Sequence, residues 1–298
     1  MPLERLHPHT KDIGGGFVVR RALPAAQRQA VGPFLFLDHF GPLHVGPDDN
    51  HDVRPHPHIG LATVTYLFEG VLQHRDSLGV SQRIEPGAIN WMTAGRGIVH
   101  SERRPDDLRG RGYTQHGLQL WVALPEADEE TEPQFEHTPA ARIPSLERCD
   151  ARVRVLVGSA HGLSSPVSTR SPTLFLDHAL DARAECALPA PTAGIERALY
   201  GVDAPFELVM GDGTVESFEP HTLVVLPDDR VATLRAGAEA ARVALVGGAP
   251  LGHRHMAWNF VSTRRERIAA AAEAWEHDAL GQVPGETERI PLPPNLRR

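Results

Sequence analysis

Four residues, His56, His58, His100 and Glu102, stand in two pairs, each at positions i and i+2. Imidazole nitrogens and a carboxylate oxygen are the donors that hold divalent transition metals. Histidine is abundant, with 17 residues, and His-x-His occurs three times, at 7–9, 56–58 and 253–255. A triplet alone therefore says little. Only the middle one leads straight into a strand-like apolar run, at 59–68. Residues i and i+2 of a strand point to one face, so His56 and His58 can aim two imidazoles at one point. His100-Ser101-Glu102 repeats the spacing behind Trp91–Val99, where glycines flank Arg96 and suit a tight turn. If the two strands are neighbours, four ligands converge. His7 and His9 read as a solvated N-terminus, and His253 and His255 as a turn near Trp258 that is the rival metal site.

Three imidazoles and one carboxylate suit Fe(II), Mn(II), Ni(II), Co(II), Zn(II) or Cu(II), and disfavour Cu(I) or an iron–sulfur cluster. Four protein ligands on an octahedral ion leave two positions open, enough for a substrate and dioxygen together. Three further residues are candidates for a substrate pocket. Trp91 and Met92 sit on the strand before the ligand turn, and alternation sends only one of them inward. Gln119 opposes Leu118 and Leu120 on its strand. For all three, plain barrel wall is an equally good reading.

The elements that must carry these residues are short strands. Runs rich in Val, Leu, Ile, Phe and Thr lie at 34–37, 61–68, 88–92, 117–124, 153–157, 173–176, 222–226 and 243–246, between 27 glycines and 26 prolines. That pattern indicates a β-sandwich or barrel, and no strand–helix alternation points to an α/β fold. Segments 85–91 and 219–226 both read as a turn followed by a buried strand, a weak internal repeat that two barrels of similar topology explain. The acidic, proline-rich segment 125–144 is the candidate linker. One helix is expected at about 262–280. Thr263 and Glu266 fit a capping box, Ile268, Ala271, Ala272, Trp275 and Ala279 recur at helical spacing, and Gly281 can end it.

The chain has 298 residues, long for one core and suited to two domains, expected at 1–135 and 136–298. A net charge of −8 argues against direct nucleic-acid binding. No apolar run approaches the roughly 18 residues of a membrane helix, and Met1–Arg5 lacks a signal-peptide core, so a cytoplasmic protein is expected. Cys149 and Cys186, far apart, read as ordinary reduced thiols.

The stretches 56–66, Pro86-Gly87, 91–102 and 117–122 resemble the pirin family of bicupins, and the likeness resumes at 171–174 and 250–252. The block from Trp91 to Glu102 is the most specific. The resemblance implies an all-β protein of two tandem cupin barrels with a C-terminal helix. It implies iron in the N-terminal barrel on His56, His58, His100 and Glu102, and a metal-free second barrel. Ala62 and Thr63 stand where the wider cupin pattern has a glutamate, which makes transfer of substrate less secure than transfer of metal. Bacterial members resemble quercetin 2,3-dioxygenases, which turn a flavonol and dioxygen into a depside and carbon monoxide. On that reading Glu102, the one carboxylate among the ligands, is the catalytic base. The other reading the family offers is a regulator that binds a protein partner according to the redox state of its iron.

Overall fold

The computed structural model describes residues 3–13, 16–148 and 150–297. Cys149 lies outside the described residues; Cys186 is half-buried. Every apolar run named above is part of a strand. The strands belong to two compact units. The described residues of one are 11–13, 16–19, 40–137 and 251–297; those of the other are 3–10, 20–39, 138–148 and 150–250. The expected cut at 135/136 lies near the change of unit between 137 and 138. The units also interleave along the chain, because 20–39 groups with 138–250 and the C-terminal segment groups with 40–137.

In the first unit a four-stranded sheet has the order Val53–His58, Ile98–Arg103, Leu72–Asp76, Ser81–Ile84. A second sheet has Gln134–Thr138, Ile89–Thr93, Leu61–Glu69 and Tyr113–Ala123 side by side in that order. Pairing is antiparallel throughout the registers recorded for both. The strand Gln134–Thr138 extends the second sheet, so part of the expected linker is an edge strand rather than a spacer.

The other unit repeats this plan. Its smaller sheet runs Glu185–Ala187, Ala232–Ala236, Phe206–Met210, Val215–Phe218, the same first, fourth, second, third succession along the chain. The turn-then-strand segments 85–91 and 219–226 occupy equivalent places, leading into Ile89–Thr93 and Leu223–Leu226. Its core is almost wholly aliphatic, with Leu199, Leu208, Leu234, Val243 and Leu245 fully buried. Where the first unit pairs His100 with His56, the second pairs Leu234 with Cys186. The fold is repeated, but the donors are not.

One α-helix, Arg265–Glu276, packs Ile268, Ala271, Ala272 and Trp275 against Ile59, Val99 and Phe260. It is shorter at both ends than expected. The capping box does not form: Thr263 gives its amide and hydroxyl to the Glu129 carboxylate instead, at 3.0 and 3.1 Å. Glu129 is buried beside Arg254 at 3.0 Å, and that charged partner outcompetes a local cap. Among the described residues no helix is long and apolar enough to cross a membrane.

Candidate metal centre

His56 and His58 alternate with Pro55 and Pro57 on the strand Val53–His58. Proline has no amide to give a ladder, so such a strand must lie at a sheet edge, where this one does. Beyond it Gly60 has φ +70, and a Cβ there would meet the Val261 carbonyl oxygen at 1.9 Å, so only glycine fits. The neighbouring strand places His100 directly opposite His56 and Ile98 opposite His58. All three imidazoles therefore meet inside the barrel. Ring centroids lie 4.3 Å apart for His56–His100, 5.0 Å for His58–His100 and 5.1 Å for His56–His58.

Each ring can give one nitrogen to a shared point, with the three atoms within 4.8 Å of one another. Among the described residues no other group of three such side chains comes this close. His56 Nδ1 donates to the Arg54 carbonyl at 2.9 Å, which leaves Nε2 with a lone pair. His58 bonds to the Asn259 backbone, and its Nδ1 is buried with no partner. His100 Nε2 is likewise buried and unpartnered. A buried polar atom without a partner costs about 1–3 kcal/mol, so two of them facing a common point fit a site built for a cation. Burial, then the neighbouring imidazoles, pushes the His100 ring well below its ordinary range; His56 falls to about 4, again mainly through burial. The rings are thus neutral at neutral pH, the state that ligates.

Glu102 is not in the three-histidine group. A register shift falls between His100 and Glu102, so Glu102 pairs with Val53 rather than continuing the alternation opposite Arg54. Its carboxyl bonds to Thr65, which in turn lies 2.9 Å from Gln119 Oε1. Desolvation raises the Glu102 carboxyl to about 7, against the opposing effect of the Thr65 bond.

Register also sorts the pocket candidates. Thr65 pairs with Asn90 and Gln119, and Thr63 with Met92 and Trp121. Paired residues share a face, and Thr65 contacts Glu102 while the Trp121 ring stands 5.2 Å from that of His58. Met92 and Gln119 are therefore on the face toward the histidines. Trp91 pairs with Val64 and lies on the opposite face. Ala62 also faces away, whereas Thr63 faces the site, so the residue change from the cupin pattern that bears on the pocket is Thr63. Sequence reasoning missed Trp121 and Thr65. Their signal was available: both fall at even spacing from Gln119 and Thr63 on paired strands.

The outward side chains of the ligand strand are also held. Ser101 Oγ donates to Glu286 Oε1 at 2.9 Å, and Arg103 pairs with both Glu286 and Glu288, the latter at 2.9 Å. By contrast, His253 and His255 lie 3.3 Å apart and gather no third ligand among the described residues, while His7 and His9 are exposed.

The Pirin family profile matches residues 16–122, and the Pirin C-terminal cupin domain matches 175–281. The chain belongs to the pirin family. This pirin is thus a bicupin. It is 42% identical to a pirin-like protein of Caulobacter vibrioides, across 95% of this chain and 96% of that one. A Pseudomonas aeruginosa protein provisionally named a quercetin 2,3-dioxygenase is 38% identical, over 98% of this chain and 90% of its own. Among solved structures, a quercetin 2,3-dioxygenase from Acinetobacter baumannii superposes with a TM-score of 0.88 at 31% identity, covering 98% and 95%.

Proposed function

We propose that this pirin is a metal-dependent dioxygenase acting on a flavonol-type substrate such as quercetin. His56, His58, His100 and Glu102 would hold one divalent transition metal, with Fe(II) the leading candidate. The observation that carries this reading is the meeting of three neutral, buried imidazoles, two of them with unpartnered nitrogens, beside a desolvated carboxyl. The names of the Pseudomonas and Acinetobacter relatives supply the reaction class. When bound, the metal supplies Lewis acidity and a place for dioxygen.

The chain's own residues do the rest. Glu102 takes the proton of the substrate hydroxyl at its carboxylate. Thr65 and Gln119 keep that carboxylate pointed into the barrel. Trp121 and Met92 offer a flat, apolar surface against which an aromatic substrate can lie. The buried strands on both sides keep bulk water from the reacting centre.

The test is oxygen uptake by the Fe(II)-loaded protein with quercetin, against a His100→Ala control. Uptake in the first and none in the second is expected. No uptake with iron shown to be bound would overturn the dioxygenase reading and leave redox-dependent binding of a protein partner as the function to pursue.

A further inference from the structure

Behind the three histidines lies a fourth. His74 pairs across the sheet with Glu102, and Asp76 with His100, so both face the same side as the ligands. His74 is 3% exposed and Asp76 fully buried. His74 Nδ1 lies 3.4 Å from His100 Nδ1, and His74 Nε2 lies 3.0 Å from Asp76 Oδ2. The other Asp76 oxygen accepts the amides of Leu78 and Val80 at 2.9 and 3.1 Å. Phe135 stacks on the His74 ring at 4.3 Å, with the planes 19° apart, and so fixes its plane.

These contacts permit one direction of donation if His100 gives its Nε2 lone pair to a metal. His100 Nδ1 then carries a hydrogen and must donate. His74 Nδ1 must accept, so the His74 hydrogen sits on Nε2 and points at Asp76. Asp76, an acceptor only, closes the chain on a turn that its second oxygen holds rigid. Every donor meets an acceptor, and the one nitrogen of His100 left over is the buried, unpartnered Nε2.

We propose that His74 and Asp76 are positioning residues: a directed hydrogen-bond chain from His100 through His74 to Asp76 fixes the His100 ring and leaves its Nε2 for the metal. This rests on the reading that the cluster binds a metal. A histidine ligand whose far nitrogen is held by an acceptor is a better and better-oriented donor, and losing such an outer partner typically costs roughly 10- to 100-fold in metal affinity. The alternative role for the pair is structural alone, as a cap on the turn after Asp76.

The experiment titrates Co(II) into the metal-free protein against a chelating indicator and records the visible spectrum of the complex. His74→Phe keeps the stack on Phe135 and removes both nitrogens. Asp76→Asn keeps an oxygen for the turn amides but presents an N–H to His74, opposing the chain. Both variants are expected to bind Co(II) roughly 10- to 100-fold more weakly, with an altered visible spectrum. In the zinc-loaded wild type, nitrogen-resolved NMR is expected to show the His100 Nδ1 hydrogen coupled to an unprotonated His74 Nδ1. Should Asp76→Asn fail to fold, His74→Phe and the NMR decide. Wild-type affinity in His74→Phe, or a hydrogen found on His74 Nδ1, overturns the chain alone. A wild type that binds no Co(II) overturns the metal reading itself, and the chain with it.

Discussion

Burial alone would leave Glu102 half protonated near neutral pH, because its carboxyl rises to about 7. A cation among the three imidazoles reverses this, since an opposite charge within a few ångströms favours the carboxylate. On the proposed reading, that ionised carboxylate is the group that would accept the proton of the substrate hydroxyl. Replacing it separates the two roles. Glu102→Gln keeps the three imidazoles and is expected to retain most of the bound metal, while turnover with quercetin falls by roughly 10²- to 10⁴-fold. Metal analysis alongside steady-state oxygen uptake checks this, and full turnover at stoichiometric metal would remove Glu102 from the mechanism. The three clustered histidines were legible from i, i+2 spacing taken with the strand-like run after His58 and the glycine-flanked turn before His100. His74 and Asp76 have that same spacing, but their role depends on which strand lies beside them, and the sequence carries no direct mark of it.

At the scale of elements, alternation places His100 and Glu102 inward and Ser101 and Arg103 outward. The outward pair is tied to Glu286, which stands in the segment after the helix. Arg103 is 8% exposed on its side chain and Glu286 10%, so this is a largely buried charged contact. Removing Glu286 takes away the most buried part of this contact but leaves Arg103 its Glu288 and Asp52 partners. Glu286→Ala is expected to cost about 1–3 kcal/mol, read by urea denaturation. It should also weaken metal binding on the proposed reading, because it loosens the strand that presents His100 and Glu102; unchanged stability would show the tie to be incidental. None of this was legible beforehand. The segment 281–297 is rich in proline and glycine and lacks periodicity, so nothing in it marks Glu286 as a partner of Arg103. The helix was legible from its stripe of Ile268, Ala271, Ala272 and Trp275, but not its start, where Glu129 draws Thr263 away from the cap.

For the whole molecule, the ligand histidines set how stability responds to acid. The folded protein holds these rings neutral, with His56 at about 4 against 6.5 when unfolded. The unfolded chain therefore binds more protons below 6.5, and the metal-free protein loses stability as pH falls from there toward 4. Glu102 has the opposite sign: raised to about 7 from 4.5, it favours the fold as pH falls through that window. Three rings outweigh one carboxyl, and each net proton contributes about 1.4 kcal/mol per pH unit. Thermal melts from pH 7 to 4.5 are expected to show this decline in metal-free protein. Protein with metal at about 100 times its Kd should melt as if about 2.7 kcal/mol more stable at pH 7 and lose that margin on acidification. A flat pH profile would show that the rings are not held neutral. The two-barrel plan itself was legible, because the turn at 85–87 and its counterpart at 219–221 precede strands of the same kind. The interleaving of the units was not, since grouping 20–39 with 138–250 depends on tertiary packing alone.

The tie between Ser101 and Glu286 spans 185 residues of sequence. On the ribosome, all ligands of the centre emerge long before the residue that braces their strand. At roughly 5–20 residues per second, the delay is some 10–40 seconds. For that interval the histidines are made but the strand behind them is not secured. On the proposed reading, a cation arriving in that interval would meet the histidines before Ser101 and Arg103 have gained their contacts with Glu286.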